Sequence, residues 1–231
     1  MKVAAAGRTD SGVHATGQVV SFSTEKAFPF ERLELALAAL LPSDCSVRHA
    51  AIVPGGFSAR FSARERTYVY VVLNRREPSA LLDRYAYHVP AALALEPMRE
   101  AAAALVGERD FRSFSTAASG EPTVRTVRRL SVEAAGELVR IEIAADGFLH
   151  RMVRTIVGTL VEYGLGRRGA AGIEPILAAR DRTAAGHAAP AAGLYLAGVR
   201  YDGYDSFAEP PILRPAGGPR TSHLTENGGF P

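Results

Sequence analysis

The sequence predicts an α+β protein built on a mainly antiparallel sheet. Three observations lead there. Helix-like and strand-like segments intermix without the regular βαβ alternation of a parallel sheet. Two neighbouring runs, Arg125 to Glu133 and Glu137 to Ala144, alternate around Ala134-Ala135-Gly136 as a hairpin does. No internal repeat of fixed period points to a solenoid or propeller instead.

The elements follow in order. Val20 and Phe22 alternate with polar neighbours in a run ending at Phe22, the pattern of a half-buried strand. Glu31 to Leu41 places Leu33, Leu37 and Leu40 on one helical face, and Pro42 stops it. Ser46 to Val53 reads as a strand, as does Thr67 to Leu73, which is rich in tyrosine and valine. Pro97 to Val106 reads as a helix, with proline in its first turn and Gly107 just past its end. In the helix Leu149 to Tyr163, Leu149, Met152, Val153, Ile156, Val157 and Leu160 form a continuous apolar stripe closed by Gly164. Ile173 to Arg180 is a short helix and Leu194 to Tyr201 a last strand. From Asp205 onward, proline and glycine without periodicity predict a disordered or loosely packed tail.

A chain of 231 residues can bury a sizeable core without disulfides. Hydrophobic residues at 47% and charged ones at 22% exclude wholesale disorder. One cysteine, Cys45, excludes a disulfide framework and a thiolate zinc cluster, and fits a reducing compartment. The histidines are scattered, without ligand spacing such as H-x-x-x-H. No run approaches the roughly 18 apolar residues of a membrane helix, and no signal-type apolar core follows Met1-Lys2, so a cytoplasmic protein is expected. The net charge of +3 leaves a nucleic-acid partner open without requiring one. Of 27 basic residues only Lys2 and Lys26 are lysine, so the surface is stocked with planar guanidinium forks suited to phosphate.

Asp10 lies in Gly7-Arg8-Thr9-Asp10-Ser11-Gly12. Such an aspartate ordinarily makes a turn or caps a helix. No helical periodicity follows it, however, and the chain passes into a strand, which puts the carboxylate on a loop entering a sheet. Tyr68 and Tyr70 have the same parity on their strand and therefore share a face, so spacing does not separate a functional tyrosine from a packed one. Arg154 falls at the edge of the apolar stripe of its helix, where an arginine either snorkels to solvent or reaches into a pocket. Leu194 opens the last strand, where it either walls a site or fills the core.

The run Ala6-Gly7-Arg8-Thr9-Asp10-Ser11-Gly12-Val13-His14-Ala15, followed by Gly17-Gln18-Val19-Val20, resembles the signature of TruA-type tRNA pseudouridine synthases. Further blocks resemble that family in its order. They are Phe57-Ser58-Ala59-Arg60-Phe61-Ser62-Ala63 with Tyr68 and Tyr70, Gly107 to Phe114, Gly147-Phe148-Leu149-His150-Arg151-Met152-Val153-Arg154, and Gly193-Leu194-Tyr195-Leu196. Five blocks in family order span nearly everything from residue 5 to about 201.

The resemblance implies a pseudouridine synthase fold of two ferredoxin-like halves, with a cleft between them. Residues 1–90 would carry the aspartate and tyrosine, residues 91–205 the arginine helix, and residues 206–231 would be a disordered tail. It implies Asp10 as nucleophile, Tyr68 as the aromatic group packing on the target base and assisting proton transfer, and Arg154 as the cation pairing with Asp10. Arg8 would enter the RNA stem. Phe57, Ser58, Ala59, Arg60, Phe61, Arg76 and Leu194 would complete the RNA-binding surface, with the arginines near 60–66, 75–76, 125–129 and 167–168 tracking the backbone. The implied reaction is conversion of uridine to pseudouridine at positions 38, 39 and 40 of the tRNA anticodon stem-loop, by a homodimer, without metal or organic cofactor. Members of the family carry a further strand and helix before the first block, with a Tyr-Asp-Gly motif and a Trp-Gln pair. This sequence contains no tryptophan, so a chain short of that unit is expected. Two other readings remain: a truncated relative that binds RNA without turnover, and an aspartate-nucleophile hydrolase, which would need a second carboxylate or a Mg²⁺ site.

Overall fold

The computed structural model describes residues 1–25, 28–116, 120–169 and 172–213. The first strands are β1 (Val3–Ala5), β2 (His14–Ala15) and β3 (Val20–Phe22), followed by helix α1 (Leu33–Leu40). Next come β4 (Glu65–Asn74), β5 (Tyr87–Val89), helix α2 (Leu95–Ala104) and β6 (Gly107–Asp110). The chain continues through β7 (Val124–Ala135), β8 (Leu138–Ala145), the long helix α3 (Met152–Gly164) and the short α4 (Glu174–Ala179). It closes with β9 (Leu194–Tyr201) and β10 (Tyr204–Asp205).

The main sheet has eight strands, with the path β10-β9-β4-β8-β7-β6; β2 adds to β9 and β5 to β4. Only those two additions are parallel. The expected mixed fold with a mainly antiparallel sheet is therefore the observed one. Strand β4 is central and buried on both faces. Tyr68, Tyr70 and Val72 point into the core under the helices, while Val69, Val71 and Leu73 point to the other side. Helices α2 and α3 supply Met98, Ala101, Ile156, Val157 and Leu160 to that first core, joined by Leu105 just past the end of α2. Between β7 and β8, Gly136 at φ +64° makes the turn that L side chains disfavour.

Several expectations shift. Ser46 to Val53 forms no strand: no strand lies alongside among the described residues, and the Ala50 N–H donates to the Glu34 carboxylate instead. An isolated extended segment has nowhere to direct its backbone donors. Strands β5 and β6 were not anticipated. β5 is three residues long, and β6 is mostly charged and reads as a loop until paired with Val124–Val127. Helix α3 begins at Met152 rather than Leu149, because Arg151 at φ +60° and ψ 8° breaks helical continuity. Residues 206–213, expected to belong to a disordered tail, are packed on the sheet. Phe207, Ile212 and Leu213 pack on the second face of the sheet, the Ala208 N–H donates to Ala197 O at 2.8 Å, and Glu209 pairs with Arg140 at 2.8 Å. Residues 214–231 lie outside the described residues. Among the described residues, no helix is long and apolar enough to cross a membrane. The small β1–β3 sheet leaves Val3, Val20 and Phe22 largely exposed.

One glycine decides how closely α3 can sit. A Cβ at Gly158 would overlap the carbonyl oxygen of His187, so α3 lies against the backbone of 187–189 with no room for a methyl group. Gly158→Ala is expected to destabilise the fold by about 3 kcal/mol, the cost of overpacking a rigid backbone contact. Urea unfolding monitored by circular dichroism measures this; an unchanged midpoint would show that α3 can slide.

Candidate active site

The Asp10 loop is tied down at both ends. Upstream, the Gln18 amide clasps Gly7, donating to its carbonyl at 2.8 Å and accepting from its N–H at 3.3 Å. Downstream, β2 lies along β9, and the Thr16 and Gly17 N–H groups both donate to Leu196 O at 3.0 Å. Gly17 must be glycine, since a Cβ there would overlap the Ala197 carbonyl. Between these anchors Gly12 takes φ +81° and the Val13 N–H donates to Asp10 O, turning the carboxylate inward.

Arg154 approaches from the opposite part of the chain. In the first turn of α3, it directs Nε to Ala189 O at 2.7 Å and Nη1 to Asp10 Oδ2 at 2.8 Å. The Ala189 N–H returns a bond to Arg154 O at 2.9 Å, so the guanidinium is fixed before it meets the carboxylate. The boundary position read from the sequence is a pocket position here. The pair is partly shielded, with side chains 17% and 28% exposed, so the ion pair is stronger than a surface bridge without the full desolvation cost of a buried one.

Asp10 and Arg154 meet at a cavity of about 720 Å³, which Tyr68 and Leu194 also line. The Tyr68 ring stands edge-on to Phe148, centroids 5.0 Å apart. Tyr70, by contrast, is fully buried with its hydroxyl on Pro190 O at 2.7 Å. The structure thus separates two tyrosines that parity leaves equivalent. Burial pushes the Tyr68 phenol up to about 12, with Asp10 adding to the rise and Arg66 opposing it. Burial likewise raises Tyr70, Tyr195 and Tyr201. Unfolded tyrosines ionise near pH 10, so these groups stabilise the fold fully below that pH and lose the contribution as the pH climbs through their raised values. The urea midpoint is therefore expected to fall between about pH 9 and about pH 11.5; an equal midpoint at both would show that the phenols ionise without unfolding.

The other expected site residues divide. Arg8 is exposed at the cavity wall and has no ion-pair partner among the described residues. Arg60 and Phe61 also line the cavity, the Arg60 guanidinium carbon 5.1 Å from the Phe61 ring centroid, and that ring is 80% exposed. Phe57, Ser58 and Ala59 do not line it. Phe57 packs on Tyr201, Ser58 organises its own turn, and the fully buried Ala59 accepts the Tyr201 hydroxyl. Arg76 follows the far end of β4 and is not among the cavity residues. Of the arginine clusters, Arg64, Arg75, Arg128, Arg129 and Arg168 pair with carboxylates of the protein itself. Arg125 lines the cavity.

Two residues take roles that the sequence reading missed: Arg66, expected with its cluster to track RNA, and His150. Arg66 spends its fork on three carbonyls, Ala6 at 2.8 Å, Asp146 at 3.1 Å and Arg60 at 2.6 Å, tying together three loops of the cavity. Its parity was the available signal: it shares the inward face of Tyr68 and Tyr70, where a cation must find acceptors. His150 places Nε2 3.6 Å from Asp10 Oδ1. It was hidden because helical periodicity reads straight through the turn that precedes α3.

With this geometry in place, comparisons with known proteins are informative. A family model described as tRNA pseudouridine synthase matches residues 101–202. The chain is 44% identical over 201 residues to tRNA pseudouridine synthase A of Bacillus subtilis (strain 168), covering 87% of this chain and 81% of that protein. It is 46% identical over 195 residues to the protein of the same name from Halalkalibacterium halodurans, covering 84% and 74%. The Caulobacter sp. (strain K31) protein of that name is 45% identical over 205 residues, covering 88% and 82%.

Proposed function

Because this chain belongs to the tRNA pseudouridine synthase A family, we propose that it isomerises uridine to pseudouridine at positions 38, 39 and 40 of the tRNA anticodon stem-loop. Asp10 is the nucleophile in this reading. The observation that carries it is the Asp10–Arg154 pair, fixed on both sides and facing an arginine-lined cavity beside an aromatic ring.

The chemistry asks for what these residues offer. The N1–C1′ bond of uridine breaks, uracil turns, and C5 bonds to C1′; a proton leaves C5 and one arrives at N1, so atoms and electrons balance. Arg154 holds one oxygen of Asp10 and leaves the other for the sugar or the base. Tyr68 and Leu194 replace the stacking partners an extruded base has lost. Tyr68 stays protonated at neutral pH, so it serves as a hydrogen-bond donor and apolar wall there, in place of a phenolate base. Arg8 and Arg60 meet phosphate or stacked bases at the mouth, with Phe61 as an exposed platform. Phe57, Ser58 and Ala59 support that loop from beneath, and Arg76 is left for more distant backbone contacts. The two ferredoxin-like halves, 1–90 and 91–205, would each bring one member of the catalytic pair, and a homodimer would grip one tRNA with both subunits.

The test is incubation of the protein with unmodified tRNA, followed by carbodiimide mapping of pseudouridine. Product confined to positions 38–40 is the expected result. Binding of tRNA with every uridine left intact would reduce the protein to an RNA-binding module and overturn the reading.

A further inference from the structure

His150 is held from both ends. Its carbonyl accepts from the Ser115 hydroxyl at 3.2 Å and from the Thr116 N–H at 3.4 Å, and its ring Nδ1 lies 2.7 Å from Thr116 Oγ1. The left-handed Arg151 that follows turns the chain before α3 starts, so the imidazole projects into the cavity instead of lying along a helix. Its Nε2 stands 3.6 Å from Asp10 Oδ1, the oxygen for which no hydrogen bond to Arg154 is formed. That distance is too long for a hydrogen bond and short enough for ionic attraction.

The ring's hydrogen bonding follows from its neighbours. If the Thr116 hydroxyl donates to Nδ1, the neutral ring carries its proton on Nε2 and points it at Oδ1. The opposite tautomer would set a nitrogen lone pair against a carboxylate oxygen. The charged groups facing the cavity from the first loop and the Arg60 turn are Arg8, Asp10 and Arg60; α3 and its leading turn add Arg151 and Arg154. The strands contribute Arg66, Arg125 and Tyr68, and Glu121 lies at the rim.

We infer that His150 is a positioning residue for the isomerisation: its Nε2–H steers the reactive oxygen of Asp10. The inference rests on the reading of Asp10 as nucleophile, and it assigns to one named residue the orientation of the oxygen left open by Arg154.

Two variants and one spectrum test it. His150→Leu is expected to lower kcat on an unmodified anticodon stem-loop by on the order of tenfold, with Kd for the RNA unchanged. His150→Gln, which keeps an N–H donor, is expected to recover most of the rate. Full activity in His150→Leu, or rate and affinity lost equally, would overturn the inference; so would a rate in His150→Gln no better than in His150→Leu. Nitrogen NMR of the free protein gives a reading that needs no turnover. The neutral ring should carry its proton on Nε2, and a proton found on Nδ1 would remove the steering contact whether or not the protein forms pseudouridine.

Discussion

Asp10→Asn is expected to lower pseudouridine formation by on the order of 10⁴-fold or more, while tRNA affinity stays within about threefold of wild type. Asparagine matches the size of aspartate, so the loop clasped by Gln18 and laid along β9 keeps its shape. What disappears is the anionic oxygen that, in the proposed reaction, attacks or takes a proton. The contrast between a lost rate and a kept affinity is the informative result. Single-turnover kinetics on unmodified tRNA, with Kd from filter binding, would measure it. Residual turnover within tenfold of wild type would mean that another group performs the chemistry.

Arg154→Ala is the second large effect, with kcat expected to fall by on the order of 10² to 10³ and Kd again little changed. The arginine touches the protein at Ala189 O and Asp10 Oδ2, and at neither point does it need the RNA. Removing it leaves the carboxylate free to swing and withdraws the cation that holds its charge in place. Arg154→Lys should recover little, because an ammonium cannot span a carbonyl and a carboxylate as a planar fork does. Equal losses in rate and affinity would assign Arg154 to the RNA rather than to Asp10.

The sequence displayed the long, periodic elements well. The β7–β8 hairpin, β4, β9 and the body of α3 carry their patterns in ten or so residues each, because each packs on one continuous core. It displayed poorly what depends on a neighbour. Ser46 to Val53 has strand-like composition but no adjacent strand among the described residues, and β6 gains its identity only from pairing with β7. The site shows the same division. Asp10 and Arg154 lie 144 residues apart, and no periodicity relates them; the recognised motifs joined them. Tyr68 and Tyr70 were equivalent by parity, and only depth distinguishes a ring at a cavity from one beneath it. Ala59 and Phe57 sit in a motif block for packing reasons, which motif matching does not separate from contact with substrate.

The placement of β2 against β9 has a consequence for the timing of activity. The short strand that follows Asp10 finds its partner among the last residues of the folded core, at Tyr195 and Leu196, and Arg154 is steadied by Ala189 just before them. During synthesis the Asp10 carboxylate therefore emerges well ahead of Arg154, Ala189 and β9, which hold it in place. A nascent polypeptide that stops short of β9 carries Asp10 without the partners that fix it, so the candidate site is assembled only once β9 has emerged.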